Sequence, residues 1–185
     1  MTSVALNIRM RIGDWLNGLP TERRSHRFAG PLSSKGKILI LAEIDSEEDR
    51  NLVLAAKKRF RNMCPQAEVN IVCHYCPKDI AGCALISDKG EEYFTDNDLS
   101  FFFKIKSQSL KECLTSRHDI LIVLAEDKAR TLNYVAKYAN ADLRVGRVGT
   151  ILDKSEVLNF TIDSHTDAKE MAPLIAANLT MIFGE

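Results

Sequence analysis

Two short apolar runs decide the fold of this chain: Asp119-Ile-Leu-Ile-Val-Leu124 and Lys37-Ile-Leu-Ile-Leu41. Their apolar residues are consecutive instead of alternating with polar ones, which is typical of strands buried on both faces of a parallel sheet. Each run is followed by a helical pattern and then by another strand pattern. Strand, helix and strand within about forty residues predict βαβ units with right-handed crossovers.

The helix after the first run is clearly marked. Ser46 is a typical N-cap, acidic residues fill the first turn and basic residues lie in the last turns, so both ends complement the helix dipole. Pro65 ends this helix, and residues 68–73 predict the second strand. Pro173 is expected near the start of the last helix, where its missing N–H is tolerated. The alternation predicts a three-layer α/β domain with a mostly parallel, Rossmann-like sheet of five to seven strands and helices on both faces.

Composition and charge exclude several classes of protein. The chain has 185 residues, 45% of them hydrophobic, with 25 basic and 25 acidic side chains. This excludes a disordered, collagen-like or disulfide-dense chain, and the zero net charge argues against nucleic acid as a partner. No run approaches the ~18 apolar residues of a membrane span, and charged residues interrupt the N-terminal region where a secretory signal would be apolar. We therefore expect a cytoplasmic protein.

Residues 1–36 are predicted to form a basic helix and connector, separate from a single α/β domain at residues 37–185. This N-terminal segment carries six basic and two acidic residues. Its apolar residues recur at helical spacing and form one stripe: Val4, Ile8, Ile12, Trp15, Leu16 and Leu19. We expect the stripe to be buried against the domain itself or against a second copy in a homo-oligomer. The alternative is contact with an anionic membrane. It is less favoured, because the helix has few basic residues to attract anionic lipid.

Three of the five cysteines form the run Cys73-x₂-Cys76-x₆-Cys83, with His74 inside it. Such a run is compatible with a zinc site or a dithiol redox pair. A second C-x₂-C, which would supply the remaining zinc ligands, does not occur in the sequence. Because the number of cysteines is odd and a core of this size needs no disulfide, we expect reduced, metal-free thiols that pack as small hydrophobic side chains.

The candidate ligand-binding residues follow the carboxyl ends of three predicted strands. Glu43 and Asp45 follow the first, His74 ends the second, and Glu126 and Asp127 follow the strand that ends at Leu124. Parallel sheets bind ligands at this edge, so these side chains are expected to converge there and to perform acid–base or metal-assisted chemistry. The alternative is that they are solvated loop residues and helix caps. No glycine-rich turn accompanies them and carboxylates repel phosphate, so no nucleotide cofactor is predicted.

Two other features have no recognisable motif. His118 precedes a buried strand and is expected at its exposed end. Phe101-Phe102-Phe103 cannot all face one side of an element, which predicts that they pack only partly into the core.

Two segments resemble a known family. The first comprises Lys37-Ile-Leu-Ile-Leu41, a helix ending in Arg59-Phe60 and Cys64-Pro65, and Ala67-Glu68-Val69. It resembles the opening βαβ unit of heptosyltransferase-type glycosyltransferases, in the N-terminal Rossmann-like half of the GT-B fold. The second, His118-Asp119-Ile-Leu-Ile-Val-Leu124 followed by Ala141-Asp142-Leu143-Arg144-Val145-Gly146, is similar to a later strand–helix–strand of that half. The chain also resembles a group of small uncharacterised bacterial proteins.

The resemblance implies a glycosyltransferase-like domain that lacks the family's catalytic parts. The family's Gly-Asp pair is replaced by Ala42-Glu43-Ile44-Asp45-Ser46, and the 38 residues after Arg147 cannot form the nucleotide-sugar-binding half. We therefore expect a non-catalytic domain that acts by binding or assembly, with a ligand that the sequence does not name. The alternative is a small enzyme using the acidic rim, either a degenerate sugar transferase or a metal-dependent hydrolase. A cleft with His74 and two carboxylates within hydrogen-bond reach would favour the enzyme, and a rim plugged by side chains would favour the binding domain.

Overall fold

The computed structural model describes residues 3–19, 36–75, 89–154 and 157–183. The strands are β1 (Lys37–Ile44), β2 (Glu68–Tyr75), β3 (Glu91–Phe94), β4 (Arg117–Leu124), β5 (Asn140–Arg147) and β6 (Phe160–Ile162). The α-helices are α1 (Ser3–Leu16), α2 (Glu47–Met63), α3 (Gln108–Thr115), α4 (Arg130–Val135), α5 (Ile151–Lys154) and α6 (Ala172–Phe183). Short 3₁₀ helices span Asp96–Asp98, Ala136–Tyr138 and Ala168–Met171. None of the helices in these ranges is long and apolar enough to cross a membrane.

All six strands pair in parallel in the order β3-β2-β1-β4-β5-β6. The strand order reverses between β1 and β4, which is the topological switch point of a Rossmann-like sheet. The predicted fold class is therefore confirmed. Both deciding runs lie in the two central strands, and Ile122 of β4 is fully buried.

The sheet separates two hydrophobic cores. On one face, β1 and β4 pack against α2 and α6 through residues such as Phe60 and Ile175. On the other face, the same strands pack against α3 and α4 through residues such as Leu110 and Tyr134. We call these the α2/α6 face and the α3/α4 face. Because successive residues of a strand point to opposite faces, an unbroken apolar run is what a strand between two cores requires.

The predicted helix signals are present in the structure. The Ser46 hydroxyl accepts a hydrogen bond from the Asp49 N–H at 3.1 Å, and the Asp49 carboxylate accepts one from the Ser46 N–H, also at 3.1 Å. This reciprocal capping box fixes the start of α2 directly after β1. Pro173 is the second residue of α6, where it displaces no intrahelical hydrogen bond.

Helix α1 packs on the α3/α4 face through a side that differs from the predicted stripe. Met10 and Gly13 are buried against the domain, whereas four stripe residues are between 40% and 80% exposed: Ile8, Ile12, Trp15 and Leu16. The expectation that these four side chains pack against the domain itself is therefore wrong, and their burial against a second copy stays a prediction. Leu19 does pack against the core, and the side chain of Val4 lies outside the described residues.

Close approach and polar contacts explain this orientation. A Cβ at Gly13 would lie 2.7 Å from the Tyr134 hydroxyl and 2.8 Å from the Phe102 carbonyl oxygen, so only glycine lets the helix come this close. Asp14 forms an ion pair with Lys137 at 2.9 Å, and both side chains are nearly buried. The Asn17 amide donates to the Phe102 carbonyl at 2.9 Å. These contacts turn the apolar stripe outward.

Two local predictions have different outcomes. His118 is 1% exposed and its Nε2 lies 2.9 Å from the Cys113 carbonyl oxygen, so the prediction of an exposed position is wrong. The last turn of α3 supplies this polar contact, and the Ser116 hydroxyl, between α3 and β4, lies 3.1 Å from the same nitrogen. Partial packing of the phenylalanine run is confirmed, since Phe103 is buried and Phe101 is 63% exposed. The sequence also predicts a short strand at residues 83–86, which lie outside the described residues.

Candidate functional site

Glu43 and His74 meet at the carboxyl ends of β1 and β2. They are register partners in the parallel pairing of these strands, and both point to the α3/α4 face. Glu43 Oε1 lies 3.5 Å from His74 Nδ1. The imidazole is 3% exposed and stacks at a tilt on Phe94, with ring centroids 4.9 Å apart. The sequence predicts both residues at this edge of the sheet, and the structure brings them together.

A second carboxylate also contacts His74. Asp96 follows β3 by two residues, and its Oδ1 lies 3.2 Å from His74 Nε2. The Thr131 hydroxyl of α4 donates to the same oxygen at 3.0 Å. Asp96 is not among the residues predicted from the sequence, although it too is a carboxylate just after a parallel strand. We refer to Glu43, His74, Asp96 and Thr131 as the His74 network.

The remaining predicted site residues have other surroundings. Glu126 forms an ion pair with Arg147 of β5 and accepts the N–H of Ala168 at 2.9 Å. Asp45 is exposed, and its own N–H donates to the Asp49 carboxylate ahead of α2. Asp127 is exposed in the loop between β4 and α4. All five predicted residues lie in the described ranges. The structure brings Glu43 and His74 together and places Asp45, Glu126 and Asp127 apart from them.

Cys73 and His74 point to opposite faces of the sheet, so they cannot share a metal or redox site. Cys73 is fully buried on the α2/α6 face, and burial raises the pKa of its thiol to about 12. Such a thiol is protonated at neutral pH and is therefore a poor nucleophile and a poor metal ligand. Cys76 and Cys83 lie outside the described residues. Within the described ranges, no group of three or more His, Cys, Asp or Glu side chains is arranged to hold a metal ion.

Two surface grooves lie on the α2/α6 face, away from the His74 network. One has a volume of ≈ 660 Å³ and runs between α2 and the start of α6, with Leu52 and Pro173 in its lining. The other has a volume of ≈ 1140 Å³ and lies at the amino ends of β2 and β3, beside Lys57 and Glu91. Lys57 and Glu91 are almost fully buried and form an ion pair at 3.0 Å. In both position and contacts these grooves are distinct from the predicted site.

One family model covers most of the chain and the whole of the sheet. A model of a family of unknown function, DUF6913, matches residues 14–176. The chain belongs to this family. No curated protein and no solved structure shows a significant match to the DUF6913 chain. The matched residues include all six strands of the sheet and also Asp14, which anchors α1 to Lys137.

Proposed function

We propose that this DUF6913 protein is a non-catalytic, glycosyltransferase-like α/β domain that acts by binding or assembly. The observation that carries the proposal is that His74 and Glu126, at the carboxyl edge of the sheet, are already held by other side chains of this chain. His74 is 3% exposed between Glu43 and Asp96, and Glu126 is engaged by Arg147. Buried polar groups that already have partners lose those contacts when a substrate displaces them, which disfavours this edge as a substrate site.

The binding surface in this proposal is the outward side of α1. The structure describes eight large hydrophobic side chains that are exposed, and five of them lie on α1 and on the loop beside it. These five side chains form what we call the α1 patch: Ile8, Ile12, Trp15, Leu16 and Phe101. Contiguous exposed apolar surface of this kind marks interaction sites, whereas single exposed hydrophobic residues do not.

A second candidate is a small enzyme that uses the acidic rim at the carboxyl ends of the strands, including the His74 network, as a degenerate sugar transferase or a metal-dependent hydrolase. One observation favours it, because an imidazole lies within hydrogen-bond reach of two carboxylates at the ligand-binding edge of the sheet. The side chain of Asp96 is 77% exposed and could reach a bound molecule. The burial of the imidazole itself weighs against this candidate.

A thermal-shift screen separates the two candidates. The probes are simple sugars, nucleotide sugars and divalent metal salts, each with and without chelator, because a ligand that binds the native state raises the melting temperature. We expect no shift for the wild-type chain. Asp127, an exposed carboxylate outside the network, provides the control variant Asp127→Asn. A shift that disappears in Asp96→Asn and persists in this control would support the enzyme and contradict the non-catalytic binding domain.

A further inference from the structure

We infer that the α1 patch is the contact surface for a second copy of this chain, so that the protein is a homodimer. This inference rests on the proposed function, because it names the partner of the same surface. It follows from three properties of the patch: its fixed orientation, its composition and its size.

The orientation of α1 is fixed by its inner side. Gly13 lies too close to Tyr134 and Phe102 for the helix to roll without a steric clash. Rolling would also separate the nearly buried Asp14–Lys137 ion pair, whose disruption would leave a charge without its partner. The helix therefore cannot turn its apolar stripe toward its own domain. A different surface must cover the patch if it is to leave water.

The composition of the outward side matches the core of a protein–protein interface. Trp15 is 80% exposed and is the largest side chain of the patch. The guanidinium of Arg9 lies over the rings of Phe101 and Phe103, with its Cζ 4.5 Å and 4.2 Å from their centroids, and it donates to the Phe101 carbonyl. Interface cores are enriched in aromatic residues and arginine and depleted in Lys, Glu and Asp. Among residues 7–16, none of the exposed side chains is Lys, Glu or Asp.

The size of the patch suits one side of a dimer. Five half-exposed to largely exposed hydrophobic side chains present roughly 500 Å² of apolar surface, at the upper end of what a monomer usually exposes. A standard interface buries about 800 Å² on each partner, including a polar rim. In a two-fold dimer both copies contribute the same patch, so an apolar stripe that is complementary to itself satisfies the symmetry.

Charge favours a second copy over a membrane surface. An interfacial helix binds anionic lipid through several Lys or Arg side chains around its apolar side. On α1 the Arg9 guanidinium is already held between two aromatic rings, so within the described part of the helix Arg11 is the remaining basic side chain. The helix itself therefore supplies little attraction to lipid, whereas its apolar stripe is sufficient for contact with another protein.

Analytical ultracentrifugation of the full chain across a wide concentration range tests the inference. Three proteins are compared: the wild type, the double variant Ile12→Glu/Trp15→Glu, and the matched control Leu174→Glu/Met181→Glu. The control places the same charges on exposed hydrophobic positions of α6. We expect twice the chain mass of 20.8 kDa for the wild type and the control, and a single chain mass for the double variant. Circular dichroism checks that all three chains keep the same helix content.

Two results would overturn the inference: a wild type that stays monomeric at every concentration, or a dimer that persists in the double variant. If the wild type is monomeric, flotation with phosphatidylserine vesicles identifies the alternative occupant. Binding that is lost in the double variant and kept in the control would assign the patch to a membrane surface. A different experiment tests the proposed function. An Asp96-dependent rise in melting temperature in the ligand screen would contradict it, whatever the oligomeric state.

Discussion

Replacing Gly13 with leucine should detach α1 from the domain. A leucine side chain has no space between Tyr134 and the Phe102 carbonyl, because a Cβ alone would lie under 3 Å from both. Detachment exposes Met10, which is worth about 2 kcal/mol, and breaks the Asn17 hydrogen bond to Phe102, worth about 1 kcal/mol. It also separates the Asp14–Lys137 ion pair, which is worth about 1 kcal/mol once both charges regain water. The better helix propensity of leucine returns about 1 kcal/mol. The free energy of unfolding should therefore fall by about 3 kcal/mol.

Urea denaturation measures this change, and amide hydrogen exchange of residues 3–19 reports whether the helix is still docked. Asn7→Leu is the matched control, because it adds the same side chain at an exposed position of the same helix. We expect the control to keep wild-type stability and protection. If Gly13→Leu lost less than about 0.5 kcal/mol and α1 stayed protected, close packing at Gly13 would not be what orients the helix.

Three further predictions concern the core and its buried polar groups. Ile122→Ala should lower the free energy of unfolding by about 2–5 kcal/mol, since Ile122 is fully buried in a central strand; a loss under about 1 kcal/mol in urea denaturation would contradict this. Cys73 should stay unlabelled by iodoacetamide in the native protein and react after denaturation, because burial keeps its thiol protonated; labelling of the native thiol would contradict the assigned burial. Burial lowers the pKa of His118 below its ordinary value of 6.5, so stability should be complete above about pH 6.5 and fall as the pH drops below it. The acid-induced loss measured by urea denaturation should be smaller in His118→Gln, and an equal loss would assign the effect to other groups.

The fold was predictable because burial on two faces leaves a direct mark in the sequence. The runs at residues 37–41 and 119–124 are apolar without interruption, as a strand between two cores requires. The orientation of α1 was not predictable from periodicity, which assumes that the most apolar side of a helix faces the core. Here a glycine contact and an ion pair with Lys137, more than 120 positions away in sequence, determine the inward side.

The candidate site was predictable only where neighbouring strands determine it. Glu43 and His74 meet because β1 and β2 are adjacent and in register. The partners of Glu126 are the Arg147 guanidinium and the N–H of Ala168, which is 42 positions further along the chain. No local sequence pattern reveals such distant contacts. Asp96 was missed because β3 is four residues long and too short to give a clear strand pattern.

The central claim is that this domain acts through the outward side of α1, and a cysteine at the centre of that side tests it most directly. In a two-fold contact the central residue meets its own copy, and a disulfide requires Cα atoms within about 7 Å. Under mild oxidation, Ile12→Cys should form a covalent dimer on a non-reducing gel, whereas Met181→Cys on α6 and the wild type should stay single chains. If Ile12→Cys stayed a single chain under the same conditions, two copies would not meet through α1, and the account would be contradicted.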